Sequence, residues 1–317
     1  MLGGVFVQGL LLVNLGSPAS PETADVKRYL KEFLSDQNVV EMPKFIWQPI
    51  LNGIVLPLRS WRSATFYKDS WTESGSPLIA YTRIITDQVQ ELLPDWDVEM
   101  AMTYGEPDIV DTLHQMKADG CSNVILLPLF PQYTQSSTKS IIDQAQSAEV
   151  DLTIIKRFYD EPVYQQILAK KIQAAWDADE YDELFFSYHS IPTAMVKHGD
   201  PYQTECEETM TAVGSLLSVP EDQIKTVYQS KFGPMPWLKP YLKNALMQAV
   251  QLGKRNILIV TPSFVADCLE TLEEDYVQNY QVFKSTGGDK FQLVEPMNGD
   301  PEFSQFLADL AVRNEVK

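Results

Sequence analysis

The residues of this chain best placed to do chemistry are His189 and the acidic stretch 267–275. His189 follows directly on the apolar run Leu184-Phe185-Phe186-Ser187-Tyr188. An imidazole titrates near neutral pH, so it can take up a proton or ligate a divalent metal. A histidine kept for structure is the equal alternative at such a position. The other two histidines are poorer candidates. His114 lies among charged residues in a helical stretch, and His198 in the polar run Lys197-His198-Gly199-Asp200. In Asp267-Cys268-Leu269-Glu270-Thr271-Leu272-Glu273-Glu274, α-helical spacing puts Asp267, Glu270 and Glu274 within roughly 60° of one another, with Glu273 turned away. A helix N-terminus tolerates such a carboxylate stripe. It reads either as a solvated acidic first turn or as a working group, since Phe264, Val265, Leu269 and Leu272 pack the helix closely. One imidazole and a carboxylate stripe can hold a divalent metal loosely or shuttle protons. They are too few and too mixed for a closed structural zinc site.

The elements that must position these groups can be read from hydrophobic periodicity. Short apolar runs at 9–14, 98–102, 124–129, 152–156, 184–188, 225–229 and 256–261 predict strands. Stretches of helical period fall between them at 21–34, 82–93, 108–119, 162–176, 201–217, 238–252 and 268–282. Strands that are apolar throughout and separated by helices imply parallel sheets covered on both faces. The fold class is α/β with βαβ crossovers. Seven strands suit two doubly wound lobes, residues 1–150 and 151–317, with a last helix at 301–313 that could return to the first lobe. Ligands in such folds bind beyond the carboxyl ends of the strands. His189 stands there, as do Leu15-Gly16-Ser17-Pro18, Pro131-Gln132-Tyr133-Thr134 and Pro262-Ser263-Phe264.

Bulk properties narrow the function classes. The 317 residues carry a net charge of −18, which repels phosphate backbones and argues against a nucleic-acid partner. The three cysteines, Cys121, Cys206 and Cys268, show neither zinc-knuckle nor disulfide spacing, so a cytoplasmic setting is the default. The apolar stretch 5–15 has no preceding basic residue, the first being Lys27, and reads as a buried strand rather than a leader. GxGxxG, P-loop, GxSxG and HExxH signatures are absent, which disfavours dinucleotide enzymes, NTPases, serine hydrolases and zincins.

Eight stretches in order carry a family resemblance. They are 11–18 (LLVNLGSP), 29–36 (YLKEFLSD), 75–78 (GSPL), 127–133 (LPLFPQY), 186–192 (FSYHSIP), 199–202 (GDPY), 228–237 (YQSKFGPMPW) and 266–273 (ADCLETLE). The chain resembles the ferrochelatases, lyases of heme biosynthesis, over nearly its whole length. The resemblance implies two Rossmann-like lobes with a porphyrin cleft between them. It implies insertion of Fe(II) into protoporphyrin IX with release of two protons. By position, His189 matches the family histidine that binds metal or accepts pyrrole protons, and Glu270 the facing glutamate. Asp267 and Glu274 match an acidic track for protons or metal, Arg59 and Ser76 positions near porphyrin carboxylates, and Tyr133 and Trp237 aromatic residues of the cleft.

Some positions depart from the family pattern. No cysteine follows Cys268, so no [2Fe-2S] cluster and no permanent cofactor are expected, iron being a substrate. Thr103 stands where many members have Arg, Ser190 where many have Gly, and Thr261-Pro262-Ser263-Phe264 replaces Cys-Pro-Gly-Phe. The segment 45–61, rich in large apolar residues, reads as a mobile lip over the porphyrin, with peripheral membrane contact as a further expectation, or else as a core-packed helix pair. A coproporphyrin or cobalt chelatase of the same fold, and a non-catalytic heme-binding paralogue, are the alternatives.

Overall fold

The computed structural model describes residues 7–231 and 235–315, except for the side chains of 273–276. Two four-stranded sheets organise it. The first contains β1 (Val7–Gly16), β2 (Trp96–Tyr104), β3 (Cys121–Pro128) and β4 (Leu152–Ile154), in the order β2-β1-β3-β4. The second contains β5 (Glu183–His189), β6 (Ile224–Gln229), β7 (Asn256–Val260) and β8 (Lys290–Leu293), in the matching order β6-β5-β7-β8. The ladders are parallel. Leu10, Leu11, Leu12 and Val13 are fully buried, as are Leu184, Phe185 and Phe186. Helices cover both faces of such strands, which explains why the runs are apolar throughout rather than alternating.

In each sheet the chain winds first to one side of the opening strand and then to the other. That makes β1 and β5 the switch points, where crevices form beyond the carboxyl ends. Gly16 ends β1 with φ +105°, and a Cβ there would lie 1.8 Å from the Tyr104 carbonyl oxygen. Only glycine fits that close approach.

Contacts group the chain into two units. One comprises the residues up to Phe130, Thr134–Arg157 and Asn298 onward, and the other Pro131–Tyr133 and Phe158–Met297. β4 pairs with β3, so the first unit runs past residue 150 to Arg157. In that unit, helix Pro301–Arg313 packs on helix Pro77–Leu92, where Ser304 Oγ donates to Gln88 Oε1 (2.7 Å). Local chemistry starts these helices. Asp300 caps one by accepting from Glu302 N at 2.9 Å, with Pro301 next, and Pro77 opens the other behind Ser76.

The structure departs from the periodicity reading at β8 and at 268–282. β8 was not expected: four residues with one well-buried side chain, Phe291, give too short a pattern to register. The stretch 268–282 is not an α-helix from the start. Glu270–Asn279 is a π-helix, and the α-helix Tyr280–Ser285 follows it. The segment 45–61 is helical, as helix Lys44–Ile50, a π-turn Leu51–Val55 and helix Leu56–Ser70. Its inner side, Trp47, Leu51 and Leu56, joins a core with Val26, Leu30 and Tyr104, while Phe45, Ile54, Leu58 and Trp61 are exposed. Among the described residues no helix is long and apolar enough to cross a membrane.

Candidate active site

His189 is the last residue of β5, the switch-point strand of the second sheet, and is half-buried. Its Nδ1 lies 2.8 Å from the Ser190 carbonyl oxygen. A carbonyl only accepts, so Nδ1 carries a proton, and in the neutral ring Nε2 presents its lone pair. The imidazole meets the edge of Phe264, with ring centroids 6.5 Å apart and planes at 63°. Phe264 belongs to the loop after β7, which flanks β5 in the sheet. The same loop runs on to Asp267 and Glu270. Sheet order, rather than chain order, thus brings the histidine and the acidic stretch to neighbouring strand ends.

Glu270 opens the π-helix and is half-buried. Each π-turn closes through an i→i+5 bond and is wider than an α-turn. The α-helical spacing behind the expected 60° arc therefore does not apply here. Asp267 lies ahead of the helix, not on its stripe. The side chain of Glu274 lies outside the described residues. Asp267 has a fixed place of its own. Thr271, fully buried, donates from Oγ to Asp267 Oδ1 at 2.9 Å and accepts from Cys268 N at 3.0 Å. These two bonds tie Asp267 and Cys268, ahead of the helix, to its first turn.

Cys268 packs against Glu270. Burial, reinforced by the neighbouring Glu270 carboxylate, pushes the Cys268 thiol well above its ordinary range. The sulfur stays protonated and donates to the Glu270 carboxylate. Sequence reading passed over this contact, because a lone cysteine between acidic residues gives no spacing signal.

The aromatic candidates are also anchored in the second unit. Trp237 bridges to Pro192, three residues past His189, with Leu238 N donating to Ile191 O (3.1 Å) and Thr193 N to Pro236 O (3.0 Å). The Trp237 ring is buried. Tyr133 is half-buried, and its backbone N donates to Glu205 Oε2 at 2.6 Å. Arg59 and Ser76 belong to the first unit. Arg59 is exposed on helix Leu56–Ser70, and Ser76 is the buried N-cap residue of helix Pro77–Leu92. His114 and His198 are exposed, in keeping with their reading as surface residues.

The family model described as Ferrochelatase matches residues 7–315. The chain belongs to the ferrochelatase family. It is a lyase that acts on a porphyrin and a metal ion, as the resemblance implied. Among its relatives, the coproporphyrin III ferrochelatase of Lactiplantibacillus plantarum is 64% identical over 308 residues, which cover 97% of this chain and 95% of that protein. The coproporphyrin III ferrochelatase of Lacticaseibacillus casei is 60% identical over 306 residues, 96% and 95% of the two chains. Solved structures add the fold. SirB from Bacillus subtilis with Fe3+ aligns at TM-score 0.52 and 12% identity, covering 98% of this ferrochelatase and 96% of that chain. CbiX, from denitrifying bacteria, aligns at TM-score 0.54 and 11% identity, covering 98% and 100%.

Proposed function

We propose that this ferrochelatase inserts Fe(II) into coproporphyrin III. The observation that supports this substrate is the 64% identity, over nearly the full length of both chains, to a relative of that name. It favours coproporphyrin over the protoporphyrin IX that the resemblance first suggested. The two porphyrins differ in charge: coproporphyrin III carries propionates where protoporphyrin IX carries vinyl groups. Ser76 at the N-terminus of a sixteen-residue helix and the Arg59 guanidinium are the groups proposed to hold carboxylates.

Insertion replaces two pyrrole N–H protons with one divalent ion. His189 is the proposed base, because its Nε2 lone pair is left free by the Nδ1 hydrogen bond. Glu270 is the proposed entry ligand for Fe(II), held by the Cys268 thiol. Asp267 and Glu274 extend its negative field as a relay for ions or protons. Tyr133 and Trp237 supply flat apolar walls against which a macrocycle can be held off planarity, exposing a nitrogen lone pair.

Side-by-side steady-state assays with coproporphyrin III and protoporphyrin IX test the substrate. The kcat/KM for coproporphyrin is expected to be larger by about tenfold or more, since groups built to bind a carboxylate are left unpaired by a vinyl. Equal values, or a preference for protoporphyrin, would remove the assignment.

The segment 45–61 is the proposed surface for peripheral membrane contact. Phe45, Ile54, Leu58 and Trp61 are exposed, and the stretch 44–62 holds Lys44, Arg59 and Arg62 but no acidic residue, in a chain of net charge −18. Apolar side chains flanked by basic ones suit an anionic lipid interface. The protein is expected to float with vesicles containing anionic lipid and to lose that property in a Leu58→Glu, Trp61→Glu variant. Flotation unaffected by the double substitution rules this surface out.

A further inference from the structure

A buried polar network holds the loop that leads to Glu270, and nothing in the reaction outlined above uses it. Its centre is Gln132, 1% exposed, in the three-residue segment Pro131–Tyr133 that belongs to the second unit. Gln132 Nε2 donates to Thr209 Oγ1 at 3.0 Å, and Gln132 Oε1 accepts from Ser263 Oγ at 2.8 Å. Ser263 has one proton to give, so the Tyr202 hydroxyl, 3.0 Å away, donates to it. Thr209 Oγ1 in turn donates to the Glu205 carbonyl at 2.7 Å, and the Glu205 carboxylate accepts from Tyr133 N.

Tyr202, Glu205 and Thr209 fall at i, i+3 and i+7 of helix Tyr202–Gly214, so one helix face supplies three members. All five side chains are at most 9% exposed. Helix faces buried against a sheet are ordinarily apolar, because a satisfied internal hydrogen bond adds little net stability over well-packed hydrocarbon. A fully paired buried network instead fixes one geometry. The element held here is the loop between β7 and the π-helix. Ser263 lies in it, next to Phe264, which packs on His189, and seven residues ahead of Glu270. The Tyr164 hydroxyl pins the same loop by donating to Pro262 O at 2.8 Å.

We propose that Gln132 is a positioning residue for metal insertion. It clamps the Ser263 loop to helix Tyr202–Gly214 and so sets the placement of Glu270 relative to His189. This rests on the proposed role of Glu270.

The test uses the full chain with saturating metal and varied coproporphyrin III. Gln132→Leu and Ser263→Ala are each expected to lower kcat about tenfold or more, as a small displacement of a reacting group does. Porphyrin KM is expected to stay within about twofold, and the double variant to be no worse than the worse single one, because both remove one clamp. Ser263→Thr, which restores the hydroxyl, is expected to recover most of the kcat lost in Ser263→Ala. Should Gln132→Leu not fold, the two Ser263 variants decide. A kcat within about twofold of the parent in the folded variants, or no recovery with Thr, overturns the proposal. Glu270→Gln, measured alongside, separates the failures. If it retains turnover, the role of Glu270 is wrong; if it is inactive while the clamp variants are normal, only the clamp is wrong.

Discussion

Replacing His189 with Ala, or Glu270 with Gln, is expected to lower kcat for metal insertion by about 10²- to 10⁴-fold while leaving the fold intact. The reason is that each substitution removes the one group proposed for its task. His189 is the one imidazole at the switch point of the second sheet, and its Nδ1 hydrogen bond to Ser190 O sets the ring with Nε2 available. Losing that bond costs about 1 kcal/mol of stability, which is small for a half-buried side chain at a strand end. Glu270→Gln keeps the shape and the contact with the Cys268 thiol but removes the charge that attracts a cation. Zinc or iron insertion followed by porphyrin fluorescence loss measures the effect, and thermal melting separates it from unfolding. Turnover within about tenfold of the parent in either variant would sink the assignment of that residue.

The second large effect falls on stability. Gly16→Ala is expected to destabilise the protein by about 4 kcal/mol, from left-handed backbone strain together with a clash. At φ +105° an L-residue is strained, and the added Cβ would meet the Tyr104 carbonyl oxygen at 1.8 Å, a backbone atom of the adjacent strand that cannot rotate away. The consequence is local to the crevice of the first sheet. The turn after β1 also lies against Gly105, where a Cβ would approach Ser17 O to 2.9 Å. Denaturant unfolding measures the loss. A cost below about 1 kcal/mol would mean that the turn rearranges at little penalty.

Much of the architecture was legible because burial on both sides leaves a plain mark. The central strands β1, β3, β5 and β7 carry buried apolar runs, Leu10–Val13, Val124–Leu127, Leu184–Phe186 and Ile257–Val260, since a parallel sheet between helices leaves its inner strands no wet face. The strand-end rule then picked out His189 before any geometry was known. β8 escaped because an edge strand of four residues buries too little to make a pattern. The π-helix escaped for a different reason. Residues 270–279 carry the same mix of charged and apolar residues that an α-helix would, and a change from i→i+4 to i→i+5 bonding has no residue-level signature. Asp267 lies ahead of the π-helix that Glu270 opens, so the two do not share the α-helical stripe read from their spacing.

By itself, then, the sequence determined the α/β class and the family and named the candidate groups, because apolar continuity, strand ends and ordered motifs are properties of the chain written out in a line. The tertiary structure decided how those groups are held. The Nδ1 proton of His189 is set by the neighbouring Ser190 carbonyl once the strand ends. Asp267 is turned to Thr271 and away from the helix stripe. Gln132 meets Ser263 across 131 positions of sequence. That last contact depends on which elements neighbour which, an order that arises from burying the sheets rather than from any local pattern.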